Sequence, residues 1–308
     1  SMEAIRGIIL KIASVTTFIV MASLIKVTSD HVPAGEAVFF RSFFALPVIL
    51  IWLIFKRDLK TGLKTSHPMQ HLWRGLVGTV AMGLGFTGLG LLPLPEVTAI
   101  GYAAPLLTVI LAAMFLGEQV RAFRLSAVVL GLVGVLIVLS PRLEAFSNSD
   151  LASRETLGAT VVLMGAGCAA LTQVFIRKMV FTEKTSAIVF YFTVTSTLLS
   201  LLTIPFGWEM PGPREAMLLI LAGLFGGIGQ ILLTSSYRFA DASVIAPFEY
   251  TSMILALGIG YFVFNETPTL TMLAGAFLVI LAGVLIIWRE RKLGLERSKQ
   301  RKVMTPQG

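Results

Sequence analysis

At 308 residues the chain is long enough for two soluble domains, but 56% hydrophobic and 14% charged residues, with a mean hydropathy of +0.85, exclude an ordinary soluble protein. The formal charge of +8 suits either nucleic acid or a membrane surface, and the placement of the cations decides between them. Cys168 is the sole cysteine, which excludes an intrachain disulfide.

Ten apolar runs of about 20 residues, the length that crosses about 30 Å of hydrocarbon, fall at 7–28, 34–55, 71–91, 94–116, 122–140, 157–177, 186–205, 215–237, 241–264 and 270–288. The expected fold is all-α and integral to the membrane, with ten transmembrane helices. The first run is too long for the apolar core of a cleavable signal peptide and carries Lys11 and Lys26, which sit near its ends and are expected to snorkel. Its Ser14, Thr16 and Thr17 either line a cavity or bond their own preceding turn. The three histidines are all expected in loops, which argues against a metal site or a buried histidine relay.

The second run opens AVFFRSFFALP and puts Arg41 roughly 10 Å below one face. An arginine at that depth must face protein, water or a counter-charge, so it is either a binding residue or a structural one that bonds helix ends. Pro47 is expected to kink this span. Runs three and eight are dense in glycine, including Gly75, Gly78, Gly223, Gly226 and Gly227, which lets helices approach closely.

Run four carries Thr98, Gly101, Pro105, Thr108 and Ala112 at alternating spacings of three and four, a small and polar face that should look inward. The stretch 97–118 returns as 245–266, with Tyr102 on Tyr250, Glu118 on Glu266, Gly75 on Gly223 and Gly78 on Gly226. The counterpart stripe is Ala246, Glu249, Met253, Ala256 and Gly260, and Pro105 and Pro247 are the expected helix-bending residues. Glu249 is the one carboxylate placed deep in the membrane, roughly 12 Å from its nearer face, where its head and that of Arg41 could meet. Unpaired, it could carry a proton; paired, it stays ionised. Glu118 and Glu266 are expected to cap the helix that follows each.

Uncharged donors and acceptors on runs six to eight, including Gln173, Tyr191, Thr193 and Gln230, suit a polar or zwitterionic solute or serve as glue between helices. Lysines and arginines, among them Lys56, Arg57, Lys60, Lys64, Arg74 and the tail from Arg289, crowd one face, while the other holds Arg142, Arg154 and Arg214. By the positive-inside rule both termini are cytoplasmic. That asymmetry accounts for the charge surplus without nucleic acid. Five spans per half is an odd number, so a duplicated half enters upside down, an architecture of secondary transporters with a site between the halves. The expected units are 3–141, the outer link 142–156, the inverted repeat 157–288 and a basic cytoplasmic tail 289–308.

The residues together resemble the drug/metabolite transporter superfamily in its EamA-type branch. The resemblance rests on the two similar halves, Arg41 followed by Ala45, Gly117-Glu118 ending run four, and Gly131-x-x-Gly134-Val135 in run five. Asn265 in place of the glycine, and Tyr191 near the position equivalent to Arg41, depart from it. The resemblance implies a bacterial inner-membrane secondary transporter that exports amino acids or related metabolites. The candidate substrate-binding residues are Arg41, Tyr102, Tyr191, Gln230, Glu249 and Tyr250. Expected partners are a small-molecule substrate, membrane lipids and, as a candidate coupling ion, protons, with no cofactor, metal or nucleic acid. Nucleotide-sugar or drug carriage is the rival within the same fold. A channel fits less well, because GIGYF at 258–262 lies within a full-length span rather than a re-entrant loop. No HExxH, GxSxG or Walker A sequence supports an enzyme.

Overall fold

The computed structural model describes residues 2–92, 94–147, 153–264 and 267–304. Among them every regular element is helical: α1 (Met2–Thr28), α2 (Ala34–Phe43), α3 (Leu46–Phe55), α4 (Pro68–Leu91), α5 (Leu94–Gly101), α6 (Ala103–Phe115), α7 (Ala122–Ser147), α8 (Ser153–Met179), α9 (Thr185–Leu201), α10 (Pro213–Phe239), α11 (Ala242–Ile245), α12 (Thr251–Phe264) and α13 (Leu270–Met304), with short 3-10 helices at Ile204–Phe206 and Ala246–Tyr250. Six stretches are long and apolar enough to cross a membrane, and α6, α9 and the first part of α7 are shorter apolar helices. The molecule is a multi-pass membrane protein.

Three of the predicted spans are broken, each where a proline removes an N–H. Pro47 cannot donate to the Phe43 carbonyl, and the chain turns at Phe44-Ala45 between α2 and α3. Pro105 cannot donate to Gly101, the last residue of α5. Pro247 lies in the 3-10 segment that separates α11 from α12. Gly117, with φ of 64°, adopts the left-handed conformation that ends α6 and swings the next residue away from the helix axis.

Packing of the helices is reciprocal between the halves. The first span of one half lies along the third of the other in both senses, α1 with α10 and α4 with α8, while α7 pairs with α13 and α2 with α9. The glycines serve these contacts: a Cβ on Gly227 would stand 3.0 Å from Val48 Cβ, and one on Gly134 would stand 2.7 Å from the Gly275 carbonyl. Large apolar side chains such as Ile51, Val133, Leu163, Leu198 and Phe277 stay exposed on the outside, as a lipid-facing surface requires.

Several expectations need correction. Arg74 is no loop cation: it lies within α4 and is buried. His71 is also inside α4 and buried, with Nε2 3.3 Å from Glu183 Oε2. Lys26 is half-buried near the end of α1, and its ammonium donates to the Leu89 and Leu92 carbonyls at the end of α4, at 2.5 and 2.9 Å. Glu266 and residues 148–152 of the predicted outer link lie outside the described residues, as do the side chain of Ala256 and the burial of Gly260.

Candidate functional site

Lys11 does not snorkel. Glycine-poor α1 carries it into the interior, where it is 1% exposed, and its Nζ lies 2.7 Å from Glu249 Oε2. The two residues come from opposite halves of the chain. Glu249 can reach this point because Pro247 replaces regular helix by a 3-10 turn, which carries Phe248 and Tyr250 into the core and leaves the Glu249 side chain 35% exposed. The anticipated encounter of Glu249 with Arg41 is replaced by the pair with Lys11.

Tyr102 and Tyr250, equivalent positions of the repeated stretch, meet edge to face with centroids 5.3 Å apart. The Tyr102 hydroxyl is bonded to the Ser252 hydroxyl, whereas the Tyr250 hydroxyl is buried with no hydrogen-bond partner among the described residues. A Cβ on Gly131 would strike the Tyr250 ring at 2.7 Å, which gives the first glycine of Gly131-x-x-Gly134 its physical reason. Tyr237, buried beside this cluster, has Lys11 Nζ 6.0 Å from its ring centroid and donates to Gln173 Oε1.

Arg41 turns to α10, where Nη2 donates to the Gly226 carbonyl and to Gln230 Oε1, both at 3.3 Å. Arg74 comes from α4 to the same region, its guanidinium 3.9 Å from the Phe192 centroid against 5.8 Å for Arg41. Tyr191 stands apart from these residues. Its hydroxyl donates to the Leu63 carbonyl at 2.6 Å and its ring lies 4.8 Å from that of His71. Of the two alternatives for Thr16 and Thr17 the structure shows the second, since both donate to the carbonyl four residues back, and Thr193 does the same.

Glu118 is a cap, but of a helix far away in sequence. With Gly117 turning the chain, its two oxygens accept the Ala242 and Ser243 N–H groups at 3.0 and 3.1 Å, at the start of α11 rather than of α7. Arg124 and Arg177 close on Asp241 from α7 and α8 at 3.1 and 3.2 Å. One end of the molecule is therefore clasped by charges contributed from both halves.

The model of the EamA-like transporter family matches this chain twice, over residues 5–140 and 156–288. The chain belongs to that family. Among EamA-like relatives, the S-adenosylmethionine uptake transporter of Rickettsia bellii is 31% identical over 83% of this chain and 84% of its own length. The pseudopaline exporter CntI of Pseudomonas aeruginosa is 30% identical over 90% of this chain and 94% of its own. A solved crystal structure matches with a TM-score of 0.77 over 93% of this chain and 98% of its own, at 18% identity, a likeness of fold alone. The interior residues are accordingly those of a small-molecule transporter of the drug/metabolite superfamily. Lys11 and Arg74 were missed as functional candidates. Lys11 could have been weighed as the basic residue nearest the middle of its run, and Arg74 as a basic residue within one turn of a span's predicted start.

Proposed function

We propose that the chain is a secondary transporter that exports amino acids or related small metabolites across the bacterial inner membrane by alternating access. Its ten spans form two inverted five-helix repeats, 3–141 and 157–288, around a central cavity, with both termini cytoplasmic. Support for the repeats comes from the family match in each half and from the reciprocal helix pairs.

The observation that carries the reading is the Lys11–Glu249 pair, a buried ammonium against a half-buried carboxylate. A zwitterionic amino acid bears the same two charges. Its ammonium can replace Lys11 at Glu249, and its carboxylate can take the freed Lys11 or Arg41, while Tyr102 and Tyr250 wall the site. Because Lys11 and Glu249 belong to different halves, exchange of partners alters a contact between the halves, the differential interaction that coupling of binding to conformation requires. A proton arriving at Glu249 would release Lys11 in the same way, which makes protons the candidate coupling ion. Gln230, whose amide nitrogen has no partner among the described residues, is available to a solute, whereas Tyr191 is already engaged.

A second reading draws on the Rickettsia relative's named cargo. S-adenosylmethionine is an amino-acid derivative with the same ammonium and carboxylate, so a nucleoside-bearing amino acid moving inward fits the same pair. Nucleotide sugars, drugs and other metabolites are the remaining alternatives.

Counterflow of labelled amino acids in proteoliposomes, measured across pH, tests the reading. Wild-type flux should be saturable and pH-dependent. Glu249→Gln should abolish it, and Lys11→Met with Glu249→Gln should restore stability but not flux. Unchanged flux at every pH in Glu249→Gln removes Glu249 from the site.

A further inference from the structure

Arg41 is 2% and Arg74 3% exposed, and neither has a carboxylate within ion-pair distance among the described residues. Both guanidinium groups lie against one ring, Phe192. Arg41 Nε and Nη1 and Arg74 Nε are buried without hydrogen-bond partners, as is the amide nitrogen of Gln230, which holds Arg41 through its oxygen. Guanidinium groups only donate, so nothing within the pair can satisfy these atoms. Two like charges withdrawn from water with no counter-charge make an arrangement that a low dielectric penalises heavily, and the face of a single aromatic ring offsets only a small part of that cost.

The chain nevertheless makes room for both. A Cβ on Gly78 would stand 2.1 Å from Arg74 Nη1 and 2.7 Å from Phe192 Cε2, and one on Gly226 would stand 2.7 Å from Arg41 Nε. Gly78 and Gly226 are equivalent positions of the two halves, so each half supplies one glycine beside one arginine. Planar forks with free donors match carboxylate and phosphate oxygens in geometry as well as in charge.

We infer that Arg41 and Arg74 together form a binding site for an oxyanion, the carboxylate or phosphate end of the transported solute, so that the cargo carries net negative charge. The inference rests on the carrier reading above and narrows it: the Lys11–Glu249 pair takes the charges of an amino-acid head, and the arginines take a further anionic group. With Gln230 as an added donor, the site rewards a solute with an acidic end over its neutral amide.

The test uses the full-length protein in detergent and in proteoliposomes, as wild type, Arg41→Gln and Arg74→Gln. Thermal melts are recorded at constant chloride with L-glutamate, L-glutamine or inorganic phosphate. Wild type should be stabilised by phosphate, or by glutamate more than by glutamine, whose head group alone still engages the Lys11–Glu249 pair. Each variant should lose roughly tenfold or more in apparent affinity for that anion, as loss of a charge-assisted hydrogen bond implies. In buffer without added oxyanion both variants should melt at or above wild type, because a charge without a counter-ion has been removed. Variants that melt lower or fail to fold, or a wild type that treats glutamate and glutamine alike and does not respond to phosphate, overturn the site. Counterflow separates the two readings. If amino acids do not exchange yet the anion response still depends on the arginines, the amino-acid reading fails and the site stands. If labelled amino acids exchange with equal KM in wild type and both variants, the site fails and the carrier reading stands.

Discussion

Lys11 Nζ lies 2.7 Å from Glu249 Oε2, but the two side chains differ in surroundings, being 2% and 35% exposed. Removal of either partner therefore has unequal cost. Glu249→Gln strands a fully buried ammonium and should cost about 3–5 kcal/mol, whereas Lys11→Met leaves a carboxylate that water can reach and should cost less. The double variant should recover most of the loss, because an apolar side chain then replaces the buried charge. Thermal melts of the four proteins in detergent check the order, and equal losses in the two single variants would contradict the burial difference.

Arg41 and Arg74 are accommodated by glycines whose Cβ positions are already occupied, while nothing lies within 4 Å of a Cβ at Gly83 or Gly85. Gly78→Ala and Gly226→Ala should displace a guanidinium and lower both melting temperature and flux. Gly83→Ala and Gly85→Ala should be neutral or stabilise by up to about 1 kcal/mol through helix propensity. Melting temperatures and counterflow rates for the four variants give the comparison.

Glu183 sits in the turn between α8 and α9, and burial by itself would raise the pKa of its carboxyl. The His71 ring 3.3 Å away and hydrogen bonds from the Thr65 hydroxyl and the His67 N–H outweigh that and hold it below the usual carboxylate value of 4.5. The folded state thus binds the proton less readily than the unfolded chain. The stabilisation is fully present above pH about 4.5 and is lost as pH falls through the lower folded value. Melting temperature should fall on acidification in wild type, and Glu183→Gln should flatten that limb while lowering stability at pH 7.

Glu118 accepts two N–H groups of α11, so Glu118→Ala should cost about 1–2 kcal/mol by freeing both donors and loosening the end where Arg124 and Arg177 hold Asp241. In a Cys168→Ser background, Gln119→Cys and Thr267→Cys should label from opposite sides of the membrane if the halves are inverted. Labelling from one side would rule out the inverted arrangement.

Much of the architecture was legible without coordinates. The bounds of the apolar runs agree with the helices to within a few residues at most ends, and Pro47, Pro105 and Pro247 marked the breaks because an imino nitrogen cannot donate to any carbonyl. The inward face of run four is buried at Pro105, Thr108 and Ala112, as its spacing required. Arg74 was harder. It stands within two turns of the start of α4, and a shift of one turn in a span's start separates a headgroup cation from a buried one.

By itself the sequence determined the membrane class, the number and rough limits of the apolar runs and the likeness of the two halves, since each follows from local hydropathy and internal similarity. Tertiary structure alone decided that Glu249 meets Lys11 rather than Arg41, that Arg41 is joined by Arg74, and that Glu118 caps α11. Periodicity along one helix fixes which side faces inward and how deep a residue lies. Which charges meet depends on which helices are neighbours and how they are rotated, and that is set by packing among residues far apart in the chain.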